Sequence, residues 1–205
     1  MKQINWYFDL ISPFAYLQST QLRRFAPYAT VVYKPVVFAG LLQHFGNIGP
    51  AEIAPKRQWT FEHVAWTAHR LGLPMRAPAV HPFNPVGLLR AVVVAGSTAQ
   101  AVRTAFSYVW EQQGDLVDLS ALHAALGIQA AQAVAPQVKA ELIANGQQAV
   151  AAQIFGVPTV AVDGHHFWGM DATEMALAFV QGDAWFETPA YTAVKDFPQG
   201  VQRLR

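Results

Sequence analysis

Ser12 and Pro13 lie within the run Phe8-Asp9-Leu10-Ile11-Ser12-Pro13-Phe14-Ala15-Tyr16, and their order makes a small chemical site. Proline is tolerated as the first residue of a helix, where its missing N–H would have no partner anyway. A serine directly before it is a favoured N-cap, with its oxygen at the positive end of the helix dipole. Such a hydroxyl either caps the helix and nothing more, or caps it and also holds an anion. A sulfur anion is the most interesting occupant. The chain contains no cysteine. Disulfides, a protein thiolate and cysteine-based zinc sites are excluded, and any sulfur chemistry must come from a bound molecule.

Other side chains offer less. The seven histidines form no metal-ligand pattern. His63 and His69 do not share a helix face, and His165 and His166, adjacent on a strand, point to opposite sides. No metal site is expected. No dinucleotide or phosphate-cradling glycine pattern is present, and Gly96-Ser97-Thr98 is not a nucleophile elbow. Trp59, Trp66 and Trp110 fall in helical segments and read as core or subunit contacts.

The elements that position Ser12 follow from the apolar pattern. Residues 4–8 are apolar and aromatic and predict a strand; residues 13–25 predict a helix, ended by Pro27; residues 30–36 predict a second strand. Strand, helix, strand at this spacing suggests a parallel pair with a crossover helix. From 38 to about 155 the pattern turns helical, with helices expected over 38–45, 56–71, 86–95, 99–112, 119–126, 134–144 and 147–155. A proline-rich connector at 74–85 carries His81 and Asn84, which either line a pocket or simply shape the loop. After Gly156-Val157-Pro158-Thr159 come a strand at 159–162, an Asp163-Gly164 hairpin turn, a return strand at 165–168 and a helix at 171–180. The tail from Gly182, ending in basic residues, is expected to pack on the surface.

The 205 residues fit one domain, or one with a large insertion. Hydrophobic residues make up 53% of the chain, which is ample for a core, while charged residues are only 13%, well under the ~25% of average proteins. Some of the neutral surface is therefore expected to be buried between subunits. A net charge of +1 without a Lys/Arg cluster argues against nucleic acid. The N-terminus lacks a signal-peptide h-region, and the apolar run at 86–96 is interrupted by Arg90 and too short to span a membrane. A soluble cytoplasmic protein is the expectation.

The order β-α-β, helical insertion, β-β-α, with a proline opening the third strand, resembles the thioredoxin fold: an α/β fold carrying a large all-helical insertion. The implied division is a discontinuous thioredoxin-like domain over 1–37 and 150–205 and an insertion over 38–149. The resemblance makes Val157-Pro158 the cis-proline loop. The usual redox cysteines of such folds sit where Ser12-Pro13-Phe14-Ala15 sits here. The pattern Asp9-x-x-Ser12-Pro13-x-x-Tyr16 resembles the 2-hydroxychromene-2-carboxylate isomerases, DsbA-like relatives of kappa-class glutathione transferases. The likeness continues in Gly46-Asn47 with Pro50 and Lys56-Arg57, in Gly156-Val157-Pro158-Thr159, and in Trp168-Gly169-Met170-Asp171, spanning residues 3–181.

That resemblance implies glutathione as the bound thiol. Ser12 would hold its sulfur, Val157 and Pro158 the cysteinyl backbone, and Trp168, Gly169, Met170 and Asp171 the γ-glutamyl end, where the Asp171 carboxylate can meet an ammonium group. Asn47, Lys56, Arg57 and Asn84 are candidates for holding a substrate carboxylate. Turn chemistry explains Asn47 equally well, and a surface helix pair explains Lys56 and Arg57. The family commonly has arginine where this chain has Ala172, which removes about 1.5–3 kcal/mol of charge-assisted bonding, or about one to two decades of affinity. Leu42 stands at the family's substrate-lysine position, so the substrate is expected to differ.

A free thiol titrates near ~8.5 and is only slightly ionised at pH 7. A serine hydroxyl and a helix dipole together favour its anion by ~2–3 kcal/mol, about two pKa units. The implied activity is reversible addition of that thiolate to a conjugated acid, giving cis–trans or ring-opened isomerisation. The implied partners are a small aromatic-derived carboxylate and a second copy of the chain in a homodimer. The alternatives are a kappa-like transferase, or a non-catalytic thiol- or peptide-binding module.

Overall fold

The fold is described from a computed structural model covering residues 1–195 together with Pro198 and Gly200. The central strand is β1 (Lys2–Phe8). Its alternation sends Ile4, Trp6 and Phe8 into one apolar cluster and Tyr7 into another on the opposite face. Both faces are therefore covered, which explains the nearly continuous apolar run in the sequence.

The chain leaves β1 through a loop into α1 (Pro13–Ser19) and a 3₁₀ turn at Leu22–Phe25. The single helix expected to Phe25 is thus shorter. The Ser19 and Thr20 hydroxyls donate to the carbonyls of Tyr16 and Leu17, and such local bonds compete with the continuing helix. β2 (Ala29–Pro35) pairs parallel to β1, with Lys2 opposite Ala29 and Phe8 opposite Pro35.

The insertion follows as α2 (Phe38–His44), a 3₁₀ turn at Pro50–Glu52, α3 (Ala54–Arg70), α4 (Val86–Val94), α5 (Ala99–Trp110), α6 (Ser120–Leu126), α7 (Ala130–Ala133) and α8 (Pro136–Ala151). The two helices expected over 134–144 and 147–155 are a single helix, α8. Asn145-Gly146 resembles a stop signal, but Asn145 is buried and the helix runs on through it. The expected domain boundary at 149/150 consequently falls inside α8.

The sheet closes with β3 (Thr159–Val162) and β4 (His165–Trp168), both antiparallel to their neighbours, in the order β2-β1-β3-β4. Asp163 and Gly164, with φ of 48° and 77°, form the expected tight turn. α9 (Thr173–Gln181) begins two residues later than expected. A 3₁₀ turn at Ala184–Glu187 and α10 (Pro189–Lys195) follow. Phe186 packs edge-on to Phe167 and Phe179. The start of the tail therefore covers β4 and α9, and its basic end lies outside the described residues.

One sheet face carries the larger core, where Ile4, Trp6 and Phe8 meet Leu88 and Leu89 of α4 and Phe106 and Trp110 of α5. The other carries Tyr7, Val36, Leu41, Ala149 and Ile154.

Candidate active site

The loop from Asp9 to Ser12 is held at almost every polar backbone group. The Asp9 carboxylate is fully buried and accepts from Ile11 N at 3.1 Å and from Phe38 N at 2.8 Å, tying the loop to the start of α2. Ser12 N donates to Asp9 O at 3.1 Å. The indole Nε1 of Trp110 donates to Leu10 O at 2.8 Å, and Nε2 of His81 lies 2.9 Å from Ile11 O. A carbonyl only accepts, so His81 carries its proton on Nε2. Burial pushes the Asp9 carboxyl up to about 7, against the pull of the Phe38 and Ile11 N–H groups. Burial also holds the His81 imidazole below its usual value; the bond to Ile11 opposes this and the Arg57 guanidinium adds to it.

This frame fixes Ser12 where the sequence places it. Its extended backbone precedes Pro13, and its Oγ accepts from Ala15 N at 3.2 Å. The bond uses an oxygen lone pair and leaves the hydroxyl proton to be donated elsewhere. Tyr16, one turn on, donates to Glu111 Oε1 at 3.1 Å, and Ser107 donates to Glu111 Oε2 at 2.7 Å. Burial, then the Glu111 carboxylate, pushes the Tyr16 hydroxyl up, so it remains a donor.

The second wall is the loop before β3. The Val157–Pro158 bond is cis. The β1–β3 ladder ends with Thr159 opposite Tyr7, so Val157 lies beyond the last registered pair. Pro158 O accepts from Gly169 N at 2.8 Å, which locks this loop to the Trp168–Asp171 turn. Two glycines admit the side chains there. A Cβ on Gly156 would stand 2.6 Å from Trp168 Nε1, and one on Gly169, whose φ is 92°, would stand 2.5 Å from Asp171 Oδ1. Trp168 and Asp171 are both exposed.

Gln18 joins the two walls. Its Oε1 accepts from Trp6 Nε1 at 2.7 Å, and its Nε2 donates to Gly169 O and Thr173 Oγ1, each at 3.0 Å. These bonds join α1, the cis-proline loop at Val157-Pro158 and the β4–α9 turn of Trp168, Gly169, Met170 and Asp171; Ser12 stands at the start of α1.

The insertion residues stand in different settings. Arg57 lies in the first turns of α3 and lines an open cleft of about 620 Å³ with Phe61 and His81. Lys56 is exposed beside it. Asn47 is exposed after α2, and its N–H donates to Leu42 O at 2.8 Å. Asn84 Oδ1 accepts from Val86 N at 3.0 Å, a local turn that leads into α4. Sequence reasoning gave no role to Gln18 or Glu111 and read Trp110 only as a core or subunit contact, which its full burial bears out; of this supporting group Tyr16 alone carried a site signal, as the last residue of the Asp9-to-Tyr16 pattern. Among the described residues no group of three His, Asp or Glu side chains is disposed to hold a metal ion.

A β2-β1-β3-β4 sheet, a first helix opening on a polar residue, and a cis-proline loop bonded to the turn before α9 define a thioredoxin-like protein. Residues 3–181 match the DSBA-like thioredoxin domain, and the chain belongs to that family. It is 26% identical over 191 residues to a 2-hydroxychromene-2-carboxylate isomerase of Sphingobium xenophagum, covering 87% of this chain and 98% of the relative. A second protein of that name, from Pseudomonas putida, is 26% identical over 187 residues, covering 82% and 89%. Among solved structures, a 2-hydroxychromene-2-carboxylate isomerase superposes with a TM-score of 0.78 at 22% identity, covering 90% of this chain and 97% of that one.

Proposed function

We propose that the protein is an isomerase of the 2-hydroxychromene-2-carboxylate isomerase type that works with glutathione. The observation that carries the reading is the substitution at the heart of the fold. A buried serine opens the first helix of a DSBA-like domain in a chain with no cysteine. The two curated relatives named above support the isomerase class.

The residues present fit such a thiol. Ser12 has a hydroxyl proton free for a sulfur, Val157 has main chain beyond the end of its ladder, and Asp171 offers an exposed carboxylate held over Gly169. Ala172 offers no cation to the γ-glutamyl carboxylate, so affinity is expected in the high micromolar to millimolar range. When bound, glutathione supplies a sulfur nucleophile that adds reversibly to a conjugated acid and leaves after rotation about the bond made single. Ser12 favours the ionised sulfur by donating its hydroxyl to it and is not itself the attacking atom. The Asp9, Trp110 and His81 bonds keep that hydroxyl in place. Arg57, with its cleft and His81 alongside, is the best placed of the four insertion candidates for the substrate carboxylate; Lys56, Asn47 and Asn84 complete the proposed set. A homodimer is part of the proposal, supported by Trp59 and Trp66 at 64% and 59% exposure on α3.

The test is absorbance of 2-hydroxychromene-2-carboxylate with and without glutathione, beside calorimetric titration with glutathione. Isomerisation that requires glutathione, and falls about threefold to tenfold in Ser12→Ala, is the expected result, matching the loss of the hydroxyl's share of the thiolate stabilisation while the helix dipole remains. A Ser12→Ala enzyme at full rate overturns the role of the serine.

A further inference from the structure

A cleft of about 560 Å³ lies between α2, α4 and α8, within the range of ordinary ligand sites. Val37, Gly40, Leu41 and His44 line it from one face of α2, at the i, i+3, i+4, i+7 spacing that shares a helix side. None of the residues placed above around Ser12, the cis-proline loop or the Arg57 cleft lines it, so it is separate from the proposed thiol site.

Its chemistry is lopsided. Leu41, Val86, Leu142 and Val150 make an apolar floor, and the charged residues on it, Arg90 and Lys139, are both cationic. Arg90 Nε is buried without a hydrogen-bond partner, and among the described residues no carboxylate forms an ion pair with Arg90 or Lys139. Arg90 is half-buried, and its one buried nitrogen, Nε, has no acceptor, so an anion entering beside it supplies what is missing. The space is kept open from both sides. Gly40 in α2 and Gly146 in α8 both line the cleft, and a Cβ at either would meet no atom within 4 Å. Glycine inside a helix is disfavoured relative to almost any residue, so neither is there for the helix.

We propose that this cleft binds an amphipathic carboxylate, with its apolar body on the floor between α2 and α8 and its carboxylate between Arg90 and Lys139. The occupant differs from the proposed substrate in needing a long apolar body and no conjugation. It binds whether or not the thiol reading holds.

Calorimetric titration of the whole protein with decanoate, below its micellar concentration, tests this. One decanoate per chain with a sub-millimolar Kd is expected. Uncharged decanol should bind at least tenfold more weakly. Arg90→Gln and the exposed Lys139→Gln should each weaken decanoate at least threefold, whereas Arg57→Gln, in the other cleft, should not. Gly146→Leu should abolish binding while leaving the thermal midpoint unchanged or higher, which separates a filled cleft from a damaged fold. Decanol binding as tightly as decanoate, decanoate binding that Lys139→Gln and Gly146→Leu leave intact, or no saturable binding overturns the proposal.

Discussion

Asp9 has a fully buried carboxyl, two backbone donors and, among the described residues, no ion-pair partner. Its ordinary value is 3.8 and burial raises it to about 7. Between those values the folded chain keeps a proton that the unfolded chain has released. Stability therefore falls as pH rises through that interval, by about 4 kcal/mol if the whole shift is expressed. His81, held low by burial, works the other way below its unfolded value, where acid removes stability. Asp9→Asn isolates the first effect, because asparagine does not titrate. Near pH 4.5 the variant should be less stable by about 1–3 kcal/mol, since its amide cannot accept from both Ile11 and Phe38. By pH 8 that gap should close or reverse in urea unfolding; a constant gap means that the carboxyl ionises normally. Ser12→Ala makes a different prediction. It removes one N-cap bond and should lower stability by about 1 kcal/mol at every pH, whatever happens to activity. Ser12 and Pro13 were legible in the sequence because capping is local. The second partner of Asp9, Phe38, was not, because no local pattern links residues that far apart.

At the level of elements, α1 and α9 are joined by one side chain. Gln18 receives the Trp6 indole and gives its amide to Gly169 and Thr173, at the two ends of the β4–α9 turn. Nothing in the sequence marks it, since a glutamine on a helix is usually solvated. The hairpin turn at Asp163-Gly164 was readable because it rests on backbone chemistry that few residues tolerate, whereas the cis bond before β3 was reached only through the family resemblance. α8 was misread for the converse reason: an Asn-Gly pair is a weak local stop signal, and burial of Leu142, Asn145 and Ala149 along one side overrides it. Gln18→Leu keeps the volume but strands the buried Trp6 donor and frees the turn. A loss of about 2–4 kcal/mol is expected. Hydrogen exchange should show the Gly169 amide, which donates to Pro158 O, opening more readily than amides of β1. Equal acceleration everywhere would mean that Gln18 merely contributes to the core and does not clamp the turn.

Over the whole chain the question is whether the helical insertion can melt without the sheet. Its helices do not enclose a core of their own. The Phe106 ring of α5 lies 6.2 Å from Trp6, 5.7 Å from Phe8 and 6.3 Å from Tyr16, and Tyr16 stacks on Trp110 at 6.4 Å. The same cluster takes in Leu88, Leu89 and Val92 of α4 and Val160 of β3. Residues distant in sequence thus share one apolar interior, and pulling the insertion away would expose the buried face of β1. Small domains with a continuous core unfold as one unit. Far-UV circular dichroism, dominated by the insertion helices, and tryptophan fluorescence, which follows buried Trp6 and Trp110, should therefore give the same midpoint. Phe106→Ala should lower stability by about 3–5 kcal/mol through the cavity it leaves, with both midpoints falling together. If the helical signal is lost first while Trp6 stays buried, the sheet holds its fold alone. The Trp110 and His81 bonds that position the Ser12 loop would then be the first part of the site to fail.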